Sequence, residues 1–285
     1  MTDLPRSWDP LGSVPPDKLV RDRLILHHAA QILASFAQGH VEARPDDGHR
    51  SMIWLDDERA FRTEATKDGL YAVLRVPHLL LELRQGDAAV DVLGLSGRSV
   101  ADGRRWLAAA VGDVRGVGDS QELHPPEYEL PHPPDGPDAP LDANPSVLEE
   151  LARWYHDAFL VLDPLAANVP EASPIRCWPH HFDLATLMTF PAGAPDGGAR
   201  HVGVGLSPGD EAYAHPYVYV NGWPAPSPED LPELAEPGRW HTTGWVGAVL
   251  EAQEVTQHSD ATAQTKTMSD YADRAVSAMC GVVLG

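Results

Sequence analysis

Between Gln121 and Ser146 the chain carries eight prolines, including Pro125-Pro126 and Pro133-Pro134, and no apolar periodicity. Proline fixes φ and removes a backbone donor, so this stretch can neither continue a helix nor sit inside a sheet. It reads as an extended connector or a wrapping arm. The break divides the chain into an N-terminal part, residues 1–120, a Pro-rich linker, residues 121–146, and a C-terminal part, residues 147–285.

The two parts repeat one order. In the first, Ile25, Ala29, Ile32, Leu33 and Phe36 recur at helical spacing, which predicts a helix over 16–39 with Asp17 as its N-cap and Gly39 as its stop. Strands are expected at 50–55, 69–76, 79–84 and 88–92, with Gln85-Gly86-Asp87 as a hairpin turn. Ser99 then opens a second helix reaching about Val111. In the second part, Leu148, Leu151, Tyr155, Phe159 and Leu162 predict a helix over 146–165. Strands follow at 174–177, 182–190, 202–206, 217–221 and 245–250, and a last helix covers 264–280. Most strand connections are too short for parallel crossovers, so the sheets are antiparallel and the class is α+β. The architecture expected is two similar helix–antiparallel sheet–helix halves.

Composition excludes several partners. A net charge of −21 disfavours nucleic acid and anionic membrane. With only Lys18, Lys67 and Lys266 there are few candidates for Schiff-base or P-loop chemistry. Cys177 and Cys280 allow neither a disulfide framework nor a CxxC metal knuckle. Met1-Thr2-Asp3-Leu4-Pro5 lacks the basic and apolar regions of a signal peptide, and no apolar run reaches membrane-spanning length, so a cytoplasmic protein is expected. A homodimer is left open.

The densest chemistry lies in Trp178-Pro179-His180-His181-Phe182-Asp183-Leu184-Ala185, which continues into an apolar strand. If the strand period holds across it, His181 and Asp183 share one face and His180 takes the other. A carboxylate two residues from an imidazole can orient or charge it for acid–base work. Four further segments offer polar groups. Gly203 and Gly205 leave one strand face bare before Ser207-Pro208-Gly209-Asp210-Glu211, and glycine in a strand commonly admits a ligand or another backbone. Tyr217, Tyr219 and Asn221 share a strand face. Trp240-His241-Thr242-Thr243-Gly244-Trp245 carries a histidine. The first part offers His28 and Gln31 on its helix, then His49 and Trp54.

Two familiar patterns are set aside. Gly205-Leu206-Ser207-Pro208-Gly209 matches a nucleophile elbow in letters only, because Pro208 has no N–H for an oxyanion hole. Gly203-x-Gly205 lies on a strand and lacks dinucleotide-binding spacing. His181, Asp183, His215, His241 and Glu211 are acceptable divalent-metal ligands, but no closely spaced ligand triad exists, so no cofactor is predicted and a metal is left open.

His28-Ala29-Ala30-Gln31, Gly48-His49 before Trp54, Phe182-Asp183-Leu184-Ala185, Pro208-Gly209, Pro216-Tyr217-Val218-Tyr219 and Trp223-Pro224-x-Pro226 together resemble an uncharacterised bacterial domain-of-unknown-function family with a Phe-Asp-Leu-Ala strand signature. The resemblance spans most of the chain. It implies an α+β fold and a pocket around Gln31, His49 and Asp183, and it supplies no reaction.

The functional expectation is a small-molecule enzyme with a pocket between the two halves. Asp183, His181 and His49 would be its catalytic groups. His28, Gln31, Trp54, Ser207, Glu211, Tyr217, Tyr219 and His241 would hold the substrate. A non-catalytic small-ligand binding protein and a metal-dependent hydrolase are the alternatives.

Overall fold

Residues 7–117, 121–190 and 198–285 are described by a computed structural model of the chain; the N-terminal segment read above for a leader lies outside them. The chain forms helices and two antiparallel sheets, an α+β architecture. It divides into two compact units that interleave along the sequence. The first comprises Lys18–Ala152 and Arg176–Phe182. The second comprises the chain up to Asp17, Arg153–Ile175 and Asp183–Gly285.

In the first unit, helix α1 (Val20–His40) is buried on nearly all sides, as its alanine-rich and leucine-rich surface requires. It begins after a single 3-10 turn at Pro16–Lys18, so Asp17 does not cap it, and it runs one residue past Gly39. The sheet is an antiparallel meander in chain order: β1 (Ile53–Leu55), β2 (Ala60–Arg62), β3 (Leu70–Arg75), β4 (Leu80–Gln85) and β5 (Ala88–Gly94). β2 is three residues long and carries no readable period, so pattern reasoning passes over it.

Helix α2 (Val100–Arg115) starts at Ser99, whose Oγ accepts the Asp102 N–H while the Asp102 carboxylate accepts the Ser99 N–H. This reciprocal box satisfies two donors that a helix start otherwise leaves bare. Beside it, Glu58, Arg75, Glu82 and Arg84 form a charge-balanced network on the sheet, with Glu82 and Arg84 buried. The guanidinium of Arg84 holds the Glu58 carboxyl below its ordinary range.

β5 is the outer strand and exposes Val90 and Val92. A register shift between Leu83 and Arg84 leaves Val90 as an extra residue, and the Asp91 carboxylate accepts the Val92 N–H at 2.8 Å.

The Pro-rich stretch belongs to the first unit and lies on α1. Arg21 bonds Asp135 and the Asp142 carbonyl, Asp22 accepts the Asn144 N–H, His28 donates to the Pro131 carbonyl and Tyr128 donates to Gln31. The short strand β6 (Arg176–Trp178) also joins this unit, because Cys177 and Met52 exchange both backbone hydrogen bonds at 2.8 Å. The simple division at residues 121–146 therefore differs from the packing in both directions.

In the second unit the strand order is β10 (Arg239–His241), β11 (Gly247–Glu251), β9 (Tyr217–Trp223), β8 (Arg200–Ser207) and β7 (Asp183–Phe190), all antiparallel. The last part of α3 (Pro145–Ala167), the short α4 (Ala252–Thr256) and the long α5 (Ala261–Leu284) complete it. α5 packs on the face of β9 that carries Gly222, where an added Cβ would strike Met279 and Val283. The Gln264 amide pairs with both backbone groups of Leu11, which explains why the N-terminal residues join this unit. Among the described residues no helix is long and apolar enough to cross a membrane.

Replacing Ser99 by alanine removes the side-chain half of the α2 box. The expected loss is ~1 kcal/mol of unfolding free energy, read as a lower urea midpoint at unchanged slope.

Candidate functional site

Polar side chains gather at two places, one in each unit. In the first unit, Gln31 is 2% exposed and fully engaged. Its amide nitrogen donates to the His27 and Pro179 carbonyls, and its oxygen accepts the Tyr128 hydroxyl at 2.6 Å. The Pro179 carbonyl also accepts Nε2–H of His27 at 2.8 Å. One helix face thus ties down both the turn after β6 and the Pro-rich arm.

That turn places Phe182 in left-handed backbone, φ +61°, with its N–H donating to the Trp178 carbonyl at 2.6 Å. A bulky residue there is strained by roughly 1–2 kcal/mol. The Phe182 ring is fully buried, stacks on His27 at 4.9 Å and lies 5.5 Å from Phe61. Burying a ring of this size contributes roughly 2–3 kcal/mol, enough to hold the strained turn. Burial pushes the His27 imidazole down to about 4 against the opposing hydrogen bond to the Pro179 carbonyl, with His28, Arg23 and His181 acting in the same direction as burial. His27 is therefore neutral at pH 7, and its Nε2–H tautomer is fixed by the carbonyl it serves. His28 and His180 are also shifted down, mainly by desolvation. The His180 and His181 rings are exposed and 4.3 Å apart, and Trp178 and Tyr128 lie around His180.

In the second unit a row of tyrosines crosses the sheet face opposite α5. Register sets Ser207 beside Tyr217, Gly205 beside Tyr219 and Gly203 beside Asn221, with Ala185 on the far side of Gly205. Tyr219 lies flat across β8 and donates its hydroxyl to Oδ2 of Asp183 at 2.5 Å. The crossing requires Gly205: a Cβ there would sit 2.8 Å from the Tyr219 hydroxyl, 2.7 Å from the Ala185 Cβ and 2.8 Å from the Leu184 carbonyl oxygen. Asn221 occupies the space above Gly203 in the same way.

Tyr217 donates to Oδ2 of Asp210 at 2.5 Å, while Oδ1 of Asp210 accepts the Ala212 and Tyr213 N–H groups. Burial raises the Tyr217 hydroxyl well above its ordinary value, and Asp210 and Asp183 add to the shift. It remains a protonated donor at neutral pH. Tyr213 continues the row, 4.9 Å from Tyr217. Its hydroxyl meets Nδ1 of His241 at 2.8 Å, and His241 Nε2–H donates to the Thr243 carbonyl. Nδ1 is therefore an acceptor for the tyrosine.

The expected site residues divide between the units, and the cut falls inside the segment 178–185, between Phe182 and Asp183. Gln31, His28, His49, Trp54 and His181 belong to the first unit. Asp183, Ser207, Glu211, Tyr217, Tyr219 and His241 belong to the second. The shared face expected for His181 and Asp183 does not form, because His180, His181 and Phe182 make a turn and the strand starts at Asp183. His49 is buried in a 3-10 turn and accepts the Arg44 N–H. Trp54 is buried edge-on against Phe61, and His28 faces the arm. Ser207 accepts the Gly209 N–H and closes the turn after β8.

Of the two carboxylates in that turn, Asp210 engages the tyrosine row and Glu211 is exposed. The glycines of β8 admit side chains of this chain where a ligand or another backbone was expected. Asp210 was named only as part of its turn, and Tyr213, His27 and Tyr128 were not anticipated. The Tyr213-to-Tyr217 spacing gave a faint signal, whereas Tyr128 sits among prolines with no pattern around it. Among the described residues no group of three or more histidine, cysteine, aspartate or glutamate side chains is arranged to hold a metal ion.

No family model, curated protein or solved structure matches the chain.

Two outcomes follow from this geometry. The His27 shift is downward, so the folded state holds fewer protons than the unfolded chain between pH 6.5 and about 4. The contribution of His27 to stability is full above pH 6.5 and is lost as the pH falls to about 4, a change of about 3 kcal/mol. Unfolding free energy measured against pH should show a shallower acid decline in His27→Asn than in the native chain. Gly205→Ala forces Tyr219 off Asp183 and crowds β7, with an expected loss of about 1–3 kcal/mol, measured by thermal and urea unfolding.

Proposed function

We propose that this chain acts on a small polar molecule at the tyrosine face of the second unit, with Asp183 as general base and Tyr219 as the hydroxyl that orients it. The observation that supports this reading is the Tyr219–Asp183 bond laid across Gly205. A carboxylate at a strand start, charge-assisted by a tyrosine O–H, is a proton acceptor whose position is fixed by the sheet itself. The neighbouring Tyr217–Asp210 pair and Ser207 supply further donors and acceptors along the same face. They suit a ligand with several hydroxyl, carbonyl or amide groups.

A non-catalytic binding protein is the second reading. It is favoured by the engagement of both carboxylates with tyrosine hydroxyls, an arrangement that holds a ligand without needing to turn it over.

The purified chain incubated with a library of small polar metabolites, followed by proton NMR, separates the two. Turnover of a compound by the native protein that drops roughly 100-fold or more in Asp183→Asn is expected for a general base, with a smaller drop in Tyr219→Phe. Saturable binding with no product supports the second reading. Turnover that is equal in the native chain and Asp183→Asn rejects the assignment of Asp183.

A further inference from the structure

A separate cavity of about 420 Å³ lies within the first unit, between α2 and the start of the Pro-rich arm. One wall is a single stripe of α2: Ala101, Arg104, Arg105 and Ala108. These positions are spaced i, i+3, i+4 and i+7, so they face one way. The other wall is Glu122, Leu123 and Pro125. Leu123 is buried against α1 at Gly39, which fixes this wall in place.

The two arginines differ. Arg105 is committed to Asp102 at 3.0 Å. Among the described residues Arg104 makes no hydrogen bond or ion pair, and Glu122 acts on it only through space. Its guanidinium is half-buried, and the loss of water outweighs the help from Glu122, so its pKa is shifted down. A fork of five donors is thus partly withdrawn from solvent at the edge of a cavity, with small alanines on either side.

We propose that this cavity binds a small organic monocarboxylate, with Arg104 pairing to its carboxylate and Ala101, Ala108, Leu123 and Pro125 covering a short apolar tail. Planar guanidinium geometry matches a carboxylate through two parallel bonds. Glu122 beside it opposes added negative charge, and so acts more strongly against phosphate and dicarboxylates than against a monocarboxylate. The site is distinct from the tyrosine face and does not depend on the reading given for it.

Butanoate is the probe, with acetate and inorganic phosphate for comparison, each followed by ligand-observed NMR at constant ionic strength. Butanoate should bind the native chain more tightly than acetate, which lacks the tail, and more tightly than phosphate. Arg104→Gln should weaken butanoate at least tenfold with an unchanged circular dichroism spectrum. Ala101→Leu, at an exposed helix position, should weaken it by filling the cavity while leaving the arginine intact. No butanoate binding to the native chain, equal binding to the native chain and Arg104→Gln, or a preference for phosphate would each overturn the proposal.

Discussion

Phe182 decides where the two parts of the central motif go. Its ring is buried against His27 and Phe61, yet its backbone is left-handed. The ring therefore draws residues 176–182 into the first unit, and the reversed backbone releases Asp183 into the second. Both polar clusters follow from that one residue. The turn is tied to α1 through the Pro179 carbonyl, and Asp183 is delivered to the first position of β7, within reach of Tyr219.

Long elements with a clear period were legible from the residues alone. α1, α2, α3, α5 and the longer strands lie where apolar spacing puts them, and Ser99 caps α2 as expected. β2, β10 and α4 were not foreseen, since three to five residues carry too little period to read. The shared face of Tyr217, Tyr219 and Asn221 was readable because register preserves alternation. The same rule failed at His181, where a positive φ on phenylalanine breaks the period; nothing in the letters marks a residue that rarely adopts that conformation. The two units do not follow the division drawn at residues 121–146, and the wrapping-arm reading of that run is the one its bonds match. A Pro-rich run resembles a tether, but carbonyls of this one are bound by Arg21 and His28 on α1.

Most polar groups at both clusters are served by the chain's own atoms. Gln31 uses both ends of its amide, Asp210 uses both oxygens, and the bare strip on β8 is occupied by tyrosine and asparagine side chains. Close packing of this kind fixes orientation at the expense of open volume. Arg104 stands apart in this respect, half withdrawn from water with its fork unclaimed among the described residues.

The outer edge of the first sheet carries one more implication. β5 presents two exposed valines along a strand paired on one side only, a surface on which another extended chain would readily align. The Asp91 carboxylate already occupies the Val92 N–H, and the extra residue at Val90 breaks the regular spacing of donors and acceptors. Self-association by strand addition is thus opposed locally, by one acid and one inserted residue. The protection of this edge lies in two adjacent positions, Val90 and Asp91.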